Sequence, residues 1–506
     1  MSSREVTIKI LNEVHIMLVG LHGTDLQVLY DKFGVFVPNH FFNPRFKLGQ
    51  WDGRIRYFTK DGKTYLYLLD QILPMLKKMG YKVKLDDRRS VEAFQPDFID
   101  CNIFSNIMHP DSGLPIILRP HQVEAVNTLI TNGFGVCVAG TGAGKTLAAA
   151  ALVKTYDNLG VRSITIVPDQ TLIRQTKRDY INCGLDTGEY SGATKTLDHR
   201  HIVSTWQALQ NNPALMTTFD MVIVDECHGL RGNKLRNIVC DYAANIPYRF
   251  GFTGTLPKDE SERILVHISI GPEQYNISAH ELIDLGLLSS IDINILQLEE
   301  DLTEQYNQYV SELSPLETPI KYNAFKDGYF GDFSAEKSYV QRKSTRLEWI
   351  ANRICEKRDE KKGNVLCLVD SIPLGRQLVA LIPGAIFING QDVKKAEKRQ
   401  SIYDLFKTED NLVVIATVNI AGTGLSIDRI FNLFTVDIGK SFIRVIQAIG
   451  RGLRMSSDKN HLSHTDICSD LKYGKKHLAE RIRFYKEAHY PHKKQIIKYD
   501  KFKETL

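Results

Sequence analysis

The strongest chemical signal in the chain is a lysine behind a run of glycines. Ala139-Gly140-Thr141-Gly142-Ala143-Gly144-Lys145-Thr146 follows the apolar run Val136-Cys137-Val138 and opens a helix-forming run from Leu147 to Lys154. Strand, glycine-rich turn and helix are the setting of a phosphate-binding loop. Glycines let the backbone wrap closely and turn its N–H groups inward. The helix that follows presents its positive end to an anion. The expectation is that Gly140 to Thr146 cradle a nucleotide's phosphates, with Lys145 on the β- and γ-phosphates and the Thr146 hydroxyl on Mg²⁺. One departure is visible: Ala139 stands where the GxxxxGK[ST] pattern has its first glycine.

A second constellation lies about 80 residues on, where the apolar run Met221-Val222-Ile223-Val224 ends in Asp225-Glu226. Successive strand residues point to opposite sides, and a sharp exit from the sheet turns the second carboxylate into the crevice. Asp225 is placed to hold the Mg²⁺ that Thr146 contacts, and Glu226 to orient and deprotonate an attacking water. A third constellation is Gln447-Ala448-Ile449-Gly450-Arg451-Gly452-Leu453-Arg454. On a helix Gln447, Arg451 and Arg454 share a face. Two guanidinium forks there want an anionic partner, and phosphoryl transfer builds such charge on the γ-phosphate. A salt-bridged surface helix is the bland alternative, and it loses ground only because Lys145 is in the same chain.

Near the front, Arg45, Lys47, Arg54 and Arg56 are interleaved with Phe46, Trp51, Tyr57 and Phe58. Asp61-Gly62 reads as a hairpin turn and Tyr65 to Leu68 as the return strand. Alternate strand residues share a face, so Arg54 and Arg56 would point together. Cations among flat rings suit phosphates and bases, which makes Arg45, Trp51, Arg54 and Arg56 candidate nucleic-acid contacts. A solvated hairpin face over a small core fits the pattern equally well.

The elements that must position these residues alternate. Apolar strands at 136–138, 163–168, 201–205, 221–228 and 249–255 are separated by helical runs, and the alternation resumes from Asn364 to Val436. That is the pattern of doubly wound parallel sheets buried on both faces. The expected fold class is α/β, with two such domains, a small α+β unit in front and a basic helical extension behind. The boundaries read 1–95, 96–286, 287–470 and 471–506. Residues 257–345 read as helical pieces without assignable chemistry. From Lys472 to Lys503, eleven lysines and arginines face only Glu480, Glu487 and Asp500, so this tail either touches a polyanion or is a solvated helix.

The 506 residues are 43% hydrophobic and 24% charged, with a formal net charge of +5, ordinary values for a soluble globular protein. The eight cysteines form no CxxC pair, which suits a reducing compartment. No apolar run approaches about 20 residues, and no apolar signal core follows Met1. A cytoplasmic protein without a membrane span is expected.

In order and spacing, the set resembles the motifs of a superfamily-2 helicase of the DExH type. Arg119-Pro120-His121-Gln122 resembles the adenine-reading segment and Gly140 to Thr146 motif I. Val167 to Leu172 resembles motif Ia, and Ser204-Thr205-Trp206-Gln207 a strand-contacting motif. Asp225-Glu226-Cys227-His228 resembles the DExH box and Thr253-Gly254-Thr255 motif III. Ala416 to Gly424 resembles motif V, and Gln447 to Arg454 motif VI. Ser426 departs from motif V, where an Asp or Asn often sits. The resemblance implies two RecA-like domains that bind ATP and Mg²⁺, with Arg119, Gln122 and Gly424 at the nucleotide. It implies Thr205, Thr253 and Thr417 as phosphate contacts on DNA.

With Trp51-Asp52-Gly53-Arg54 included, the whole chain resembles the phage recombination helicases. This implies a monomeric enzyme acting on single-stranded, forked and four-way DNA and on RNA–DNA hybrids, with recombination proteins as partners. Its work would be fork regression, junction migration and loop unwinding in recombination, repair and replication. A double-strand translocase that separates no strands, and an ATP-gated binding or annealing protein, stay open as other readings.

Overall fold

Val6, Ile8 and Ile10 alternate with Thr7 and Lys9, and this period of two builds the first strand, β1 (Arg4–Ile10). It pairs antiparallel with β2 (His15–Val19) and parallel with β6 (Tyr81–Asp87). With β5 (Lys63–Tyr65) these make a four-stranded sheet in the order β5-β2-β1-β6. The computed structural model describes residues 4–499 apart from 38, 90–93, 111, 315, 361–362, 390–404, 407, 419–428, 440–448, 451 and 454–457. The chain divides into two units, one ending at Ile277 and the other starting at Ser278.

The front of the chain differs from the expected hairpin. The turn at Thr59–Lys63 is present, closed by the Thr59 N–H on the Lys63 carbonyl at 2.9 Å. Its two arms go to different partners, however. β4 (Arg54–Arg56) pairs with β3 (Gly34–Phe36), β5 pairs with β2, and Leu66–Leu68 is a 3₁₀ turn. The reason is burial: Tyr57, Phe58 and Leu68 sink into the core under the sheet, which a flat two-stranded ribbon would have left open.

That core is shared. The apolar face of the four-stranded sheet packs on helices Gly23–Lys32 and Leu69–Lys78, and also on Leu265 and Ile268 of helix Glu260–Ile270. Polar contacts reinforce the join. The Tyr57 hydroxyl donates to the Ser261 carbonyl at 3.2 Å, the Glu13 N–H to the Ala244 carbonyl at 2.9 Å, and His267 Nε2 meets the Tyr67 carbonyl at 2.6 Å. Burying each of Leu265 and Ile268 contributes roughly 2 kcal/mol, so the front sheet is packed onto the body behind it.

The rest of the first unit is a seven-stranded parallel sheet in the order β13-β7-β12-β11-β8-β10-β9. Its strands are β7 (Phe134–Ala139), β8 (Ser163–Val167), β9 (Thr187–Tyr190), β10 (His201–Thr205), β11 (Met221–Asp225), β12 (Tyr248–Thr253) and β13 (Glu273–Ile277). Near-continuous burial along β8, β10, β11 and β12 matches a sheet covered on both faces.

The second unit repeats the plan in the order β16-β17-β15-β18-β19-β14-β20. Its strands are β14 (Ser290–Leu298), β15 (Val365–Val369), β16 (Ile386–Ile388), β17 (Val413–Thr417), β18 (Asn432–Val436), β19 (His461–Ser469) and β20 (His492–Ile497). Helices Thr303–Glu312, Tyr322–Gly328 and Phe333–Arg342 fill part of the stretch expected to be helical.

The tail is not a free extension. Helix Lys472–Glu487 buries His477, Leu478, Arg481, Phe484 and Tyr485, and β20 pairs in parallel with β14. Arg481 decides this. Its Nε donates to Asp466 at 2.8 Å and its Nη1 to the Ile438 carbonyl at 2.6 Å, so one of the basic residues is inside the fold. Among the described residues no helix is long and apolar enough to cross a membrane.

Candidate nucleotide site

The phosphate loop leaves β7 at Ala139 and enters helix Lys145–Asp157. Gly142 (φ 90°) and Gly144 (φ 78°) are left-handed, a conformation that favours glycine. Ala139 is not among the left-handed residues, which is why a side chain is tolerated where the pattern has glycine. Lys145 Nζ donates to the Ala139 carbonyl at 3.0 Å. Gly140, Thr141 and Ala143 complete the turn, and the Ala143 N–H donates to the Gly140 carbonyl at 3.1 Å. Thr146 follows in the first helical turn, half-buried.

Gln122 and His121 hold the loop from behind. The Gln122 amide nitrogen reaches the Ala143 and Gly144 carbonyls, each at 3.2 Å, and His121 Nε2 meets the Ala143 carbonyl at 2.8 Å. The Gln122 amide oxygen accepts from the Arg119 N–H at 2.8 Å, which caps helix Pro120–Asn132. Gln122 therefore tethers the phosphate loop, whereas the sequence offered it only as an adenine reader. Arg119 itself is exposed. Sequence reasoning passed over His121, whose only signal was its place beside Gln122.

Asp225 ends β11, and Glu226 is left-handed at φ 50° and ψ 50°. This is the sharp exit the two carboxylates required, and a non-glycine residue held there costs about 1–3 kcal/mol, a strain typical of working sites. In sheet order β12 lies between β7 and β11, so Thr253 at its end stands between the phosphate loop and the acids. Thr253 Oγ1 lies 3.0 Å from His228 Nδ1, 3.3 Å from Glu226 Oε2 and 2.9 Å from the Thr255 carbonyl. His228 Nδ1 is itself 3.2 Å from Glu226 Oε2. A Cβ added to Gly254 would stand 3.7 Å from Lys145 Nζ.

Thr253, expected at a DNA phosphate, is fully buried with its hydroxyl engaged by the box. His228 is the further residue the geometry adds; its signal was the fourth place of the box.

Electrostatics separates the two acids. Burial, reinforced by the Glu226 charge, pushes the Asp225 carboxyl up to about 7. Burial also pushes Glu226 upward, but the His228 hydrogen bond and Lys145 outweigh it and hold it at about 2. The two environments push the acids apart, Glu226 toward the charged form and Asp225 away from it.

The other expected contacts fall elsewhere. Thr205 and Thr417 end β10 and β17 and are buried. Arg54 lies over the Phe36 ring at 4.2 Å, and Arg56 lies over Tyr30 at 4.7 Å while pairing with Asp52. Trp51 Nε1 donates to the Arg54 carbonyl at 2.8 Å. Arg45 is exposed. Gly424, Gln447, Arg451, Arg454 and Ser426 lie outside the described residues.

Known proteins share this arrangement in pieces and nearly end to end. Residues 19–86 match the family described as DNA helicase UvsW, N-terminal. Residues 115–258 match type III restriction enzyme, res subunit, and residues 351–456 match helicase conserved C-terminal domain. The ATP-dependent DNA helicase UvsW of Enterobacteria phage T4 is 25% identical over 90% of this chain and 92% of its own. The chain is a superfamily-2 DNA helicase.

This helicase is also 31% identical to the DNA 3'-5' translocase XPB2 of Sulfurisphaera tokodaii, over 36% of this chain and 41% of that one. Its fold is that of the ATP-dependent type ISP restriction-modification enzyme LlaBIII bound to DNA, with a TM-score of 0.51, 13% identity, and coverage of 79% of this chain and 32% of that one. The helicase hydrolyses ATP and acts on DNA.

Proposed function

We propose that this helicase remodels branched DNA, regressing forks, migrating junctions and unwinding RNA–DNA loops. The observation that supports the reading is the packed join between the front sheet and the ATPase body through helix Glu260–Ile270, which starts a few residues past Thr255. A motor that carries a second nucleic-acid element on the same body can hold one arm of a branch while it pulls another. Linked contacts raise each other's effective concentration only where both arms are present. Recombination, repair and replication are the processes that such a reaction serves.

The residues fit Mg²⁺-ATP. The left-handed glycines give an open cradle of N–H groups, and the buried Asp225 beside Glu226 is a donor set suited to a hard cation. Thr146 and Asp225 would hold the metal, which would draw charge off the β- and γ-phosphates. Lys145 exchanges the Ala139 carbonyl for a phosphate oxygen. Glu226, charged and oriented by His228, takes the proton of the attacking water. Thr253 bridges the same carboxylate, so a change at Glu226 reaches the loop that leads into helix Glu260–Ile270. Arg451 and Arg454, with Gln447, are proposed to meet the γ-phosphate, and Thr205, Thr417 and Arg45 to lie along the nucleic acid.

The test is ATP hydrolysis and product formation measured on single-stranded, duplex, forked and four-way DNA and on an RNA–DNA loop. Branched substrates should give the lowest half-saturating concentration and rearranged strands. Hydrolysis on plain duplex without strand separation would instead favour the double-strand translocase, and strand annealing without ATP the ATP-gated binding protein.

A further inference from the structure

Between β3 and β4 the chain folds into a small knuckle, 39–53, braced around the His40 ring. Asn39 is left-handed (φ 58°) and opens a 3₁₀ turn, His40–Phe42. The His40 ring stacks on Phe36 at 4.8 Å and meets the edge of Phe46 at 4.7 Å, and its Nδ1 lies 2.9 Å from the Val37 carbonyl. Gly53 (φ +79°) lets the returning strand press against the His40 ring, where a Cβ would collide. Asn43 caps the short helix Pro44–Lys47, the Gln50 N–H donates to the Arg45 carbonyl at 2.8 Å, and Trp51 is pinned to the Arg54 carbonyl.

What this scaffold holds outward is apolar. Phe41 is 50% exposed, Phe42 67% and Leu48 70%, and the two phenyl rings stand 4.5 Å apart. Adjacent exposed aromatics on a self-braced loop call for a partner, since scattered single exposures are ordinary and clustered ones are not. Charge chooses the partner. Arg45 and Lys47 follow the rings three and five residues after Phe42 and are exposed, while Asp52, the one acid of the knuckle, is occupied by Arg56. Exposed rings and exposed cations on one short loop match a strand whose bases are unstacked and whose phosphates lie alongside. A continuous duplex offers the phosphates but hides its base faces.

We propose that Phe41 and Phe42 stack on a nucleobase exposed at a branch point or single-stranded arm, with Arg45 and Lys47 on the adjoining phosphates. This rests on the reading that the front unit touches DNA, and it reassigns that contact. Arg54, Arg56 and Trp51 brace the knuckle from inside, and the outward rings do the touching. Because the loop is held before binding, little ordering cost is incurred when the rings engage.

The experiment measures affinity of the full chain for forked DNA and for blunt duplex across a salt series. The variants are Phe41→Ala with Phe42→Ala, Phe42→Trp, Phe42→Leu, and Arg45→Ala with Lys47→Ala. Melting curves verify that each is folded. Removing both rings should weaken fork binding about tenfold or more, leave duplex binding unchanged and leave the salt slope unchanged. Phe42→Trp should preserve fork affinity and Phe42→Leu should not, because leucine keeps the apolar bulk without a π face. Removing the cations should lower the salt slope by about two.

If the cation variant weakens fork binding while the ring variant does not, stacking is overturned and the DNA contact stands. If neither variant changes anything, both fail. Phe42→Leu binding as well as Phe42→Trp overturns a base as the occupant and points to an apolar protein surface.

Discussion

The two seven-stranded sheets share an architecture and both carry acids past the carboxyl ends of their strands, yet they treat those acids in opposite ways. In the second unit Asp370, Asp470, Asp437 and Glu300 are each matched by a cation of the fold. Lys337 Nζ donates to Asp370 at 2.7 Å, Lys326 Nζ to Asp470 at 2.7 Å, and Arg346 grips Asp437 through two bonds of 2.6 and 2.7 Å. Glu300 accepts from Arg346 Nε at 2.9 Å and from the Tyr499 hydroxyl at 2.6 Å. In the first unit the nearest lysine donates to the Ala139 carbonyl and acts on the acids only through its field, while Glu226 has hydrogen bonds from His228 and Thr253 and no lysine or arginine bonded to it among the described residues. A row of acids becomes scaffold when the chain supplies the counter-charge, and chemistry when that charge is left to a ligand.

The sharpest way to break this contrast is Lys145→Ala. It should abolish ATP turnover and leave the unfolding transition where it was, because the ammonium supports only one carbonyl in the resting loop. Turnover near that of the parent in a DNA-stimulated assay would end the phosphate-loop assignment. Next in size, Glu226→Gln should slow hydrolysis by about 10²- to 10⁴-fold while Mg²⁺-ATP still binds. Lost binding with intact single-turnover chemistry would exchange the roles of Asp225 and Glu226.

On the scaffold side, Arg346→Ala leaves Asp437 and Glu300 buried without their partner. Such a loss costs about 3–5 kcal/mol, so the urea midpoint of the second unit should fall clearly. An unshifted midpoint would show that these acids are not held by the ion pairs.

The smallest effect is a pH dependence. Burial lowers the His464 imidazole to about 4, and burial, with Lys63, lowers His15 to about 4 as well. Between the unfolded value near 6.5 and the folded value, the unfolded chain binds more protons. The stability these histidines carry is therefore complete above about pH 6.5 and lost as the pH falls toward about 4. Melting temperature should drop on going from pH 7.5 to pH 5, and His464→Gln should flatten the drop. A parallel curve for the variant would assign the acid sensitivity to other groups.

What the sequence made legible follows from how local each signal is. β7, β11 and β15 are nearly continuous apolar runs and stood out, β8, β10 and β12 were legible from their place in the alternation, and the glycines that turn at Gly142 and Gly144 were legible as well. β9 is Thr-Gly-Glu-Tyr, β19 mixes His, Ser, Thr and Asp, and β20 is basic, so none announces a strand. They become strands because a neighbour supplies the ladder. In the site, Asp225, Glu226 and Lys145 could be read from spacing. The service of Thr253 to the box could not, because it depends on β12 lying between β7 and β11, and strand order is not written along the chain. The tethering of the phosphate loop by Gln122 and His121 likewise depends on one helix end meeting a loop more than twenty residues away.

The sheets end in strands that still have backbone groups to offer. β6 closes one side of the front sheet and β20 one side of the last, and among the described residues neither has a second partner. Each is a template on which another chain can grow. β6 exposes Val83 and Leu85, and β20 exposes Ile496, which makes both attractive to a half-folded neighbour. Lys82 and Lys84 on β6, and Lys493 and Lys494 on β20, lie exposed along those edges. Two chains approaching edge to edge must bring these ammonium groups together, so the lysines act as guards against cross-β growth. Neutralising them would leave the helicase fold untouched and show instead as precipitation during refolding at high concentration.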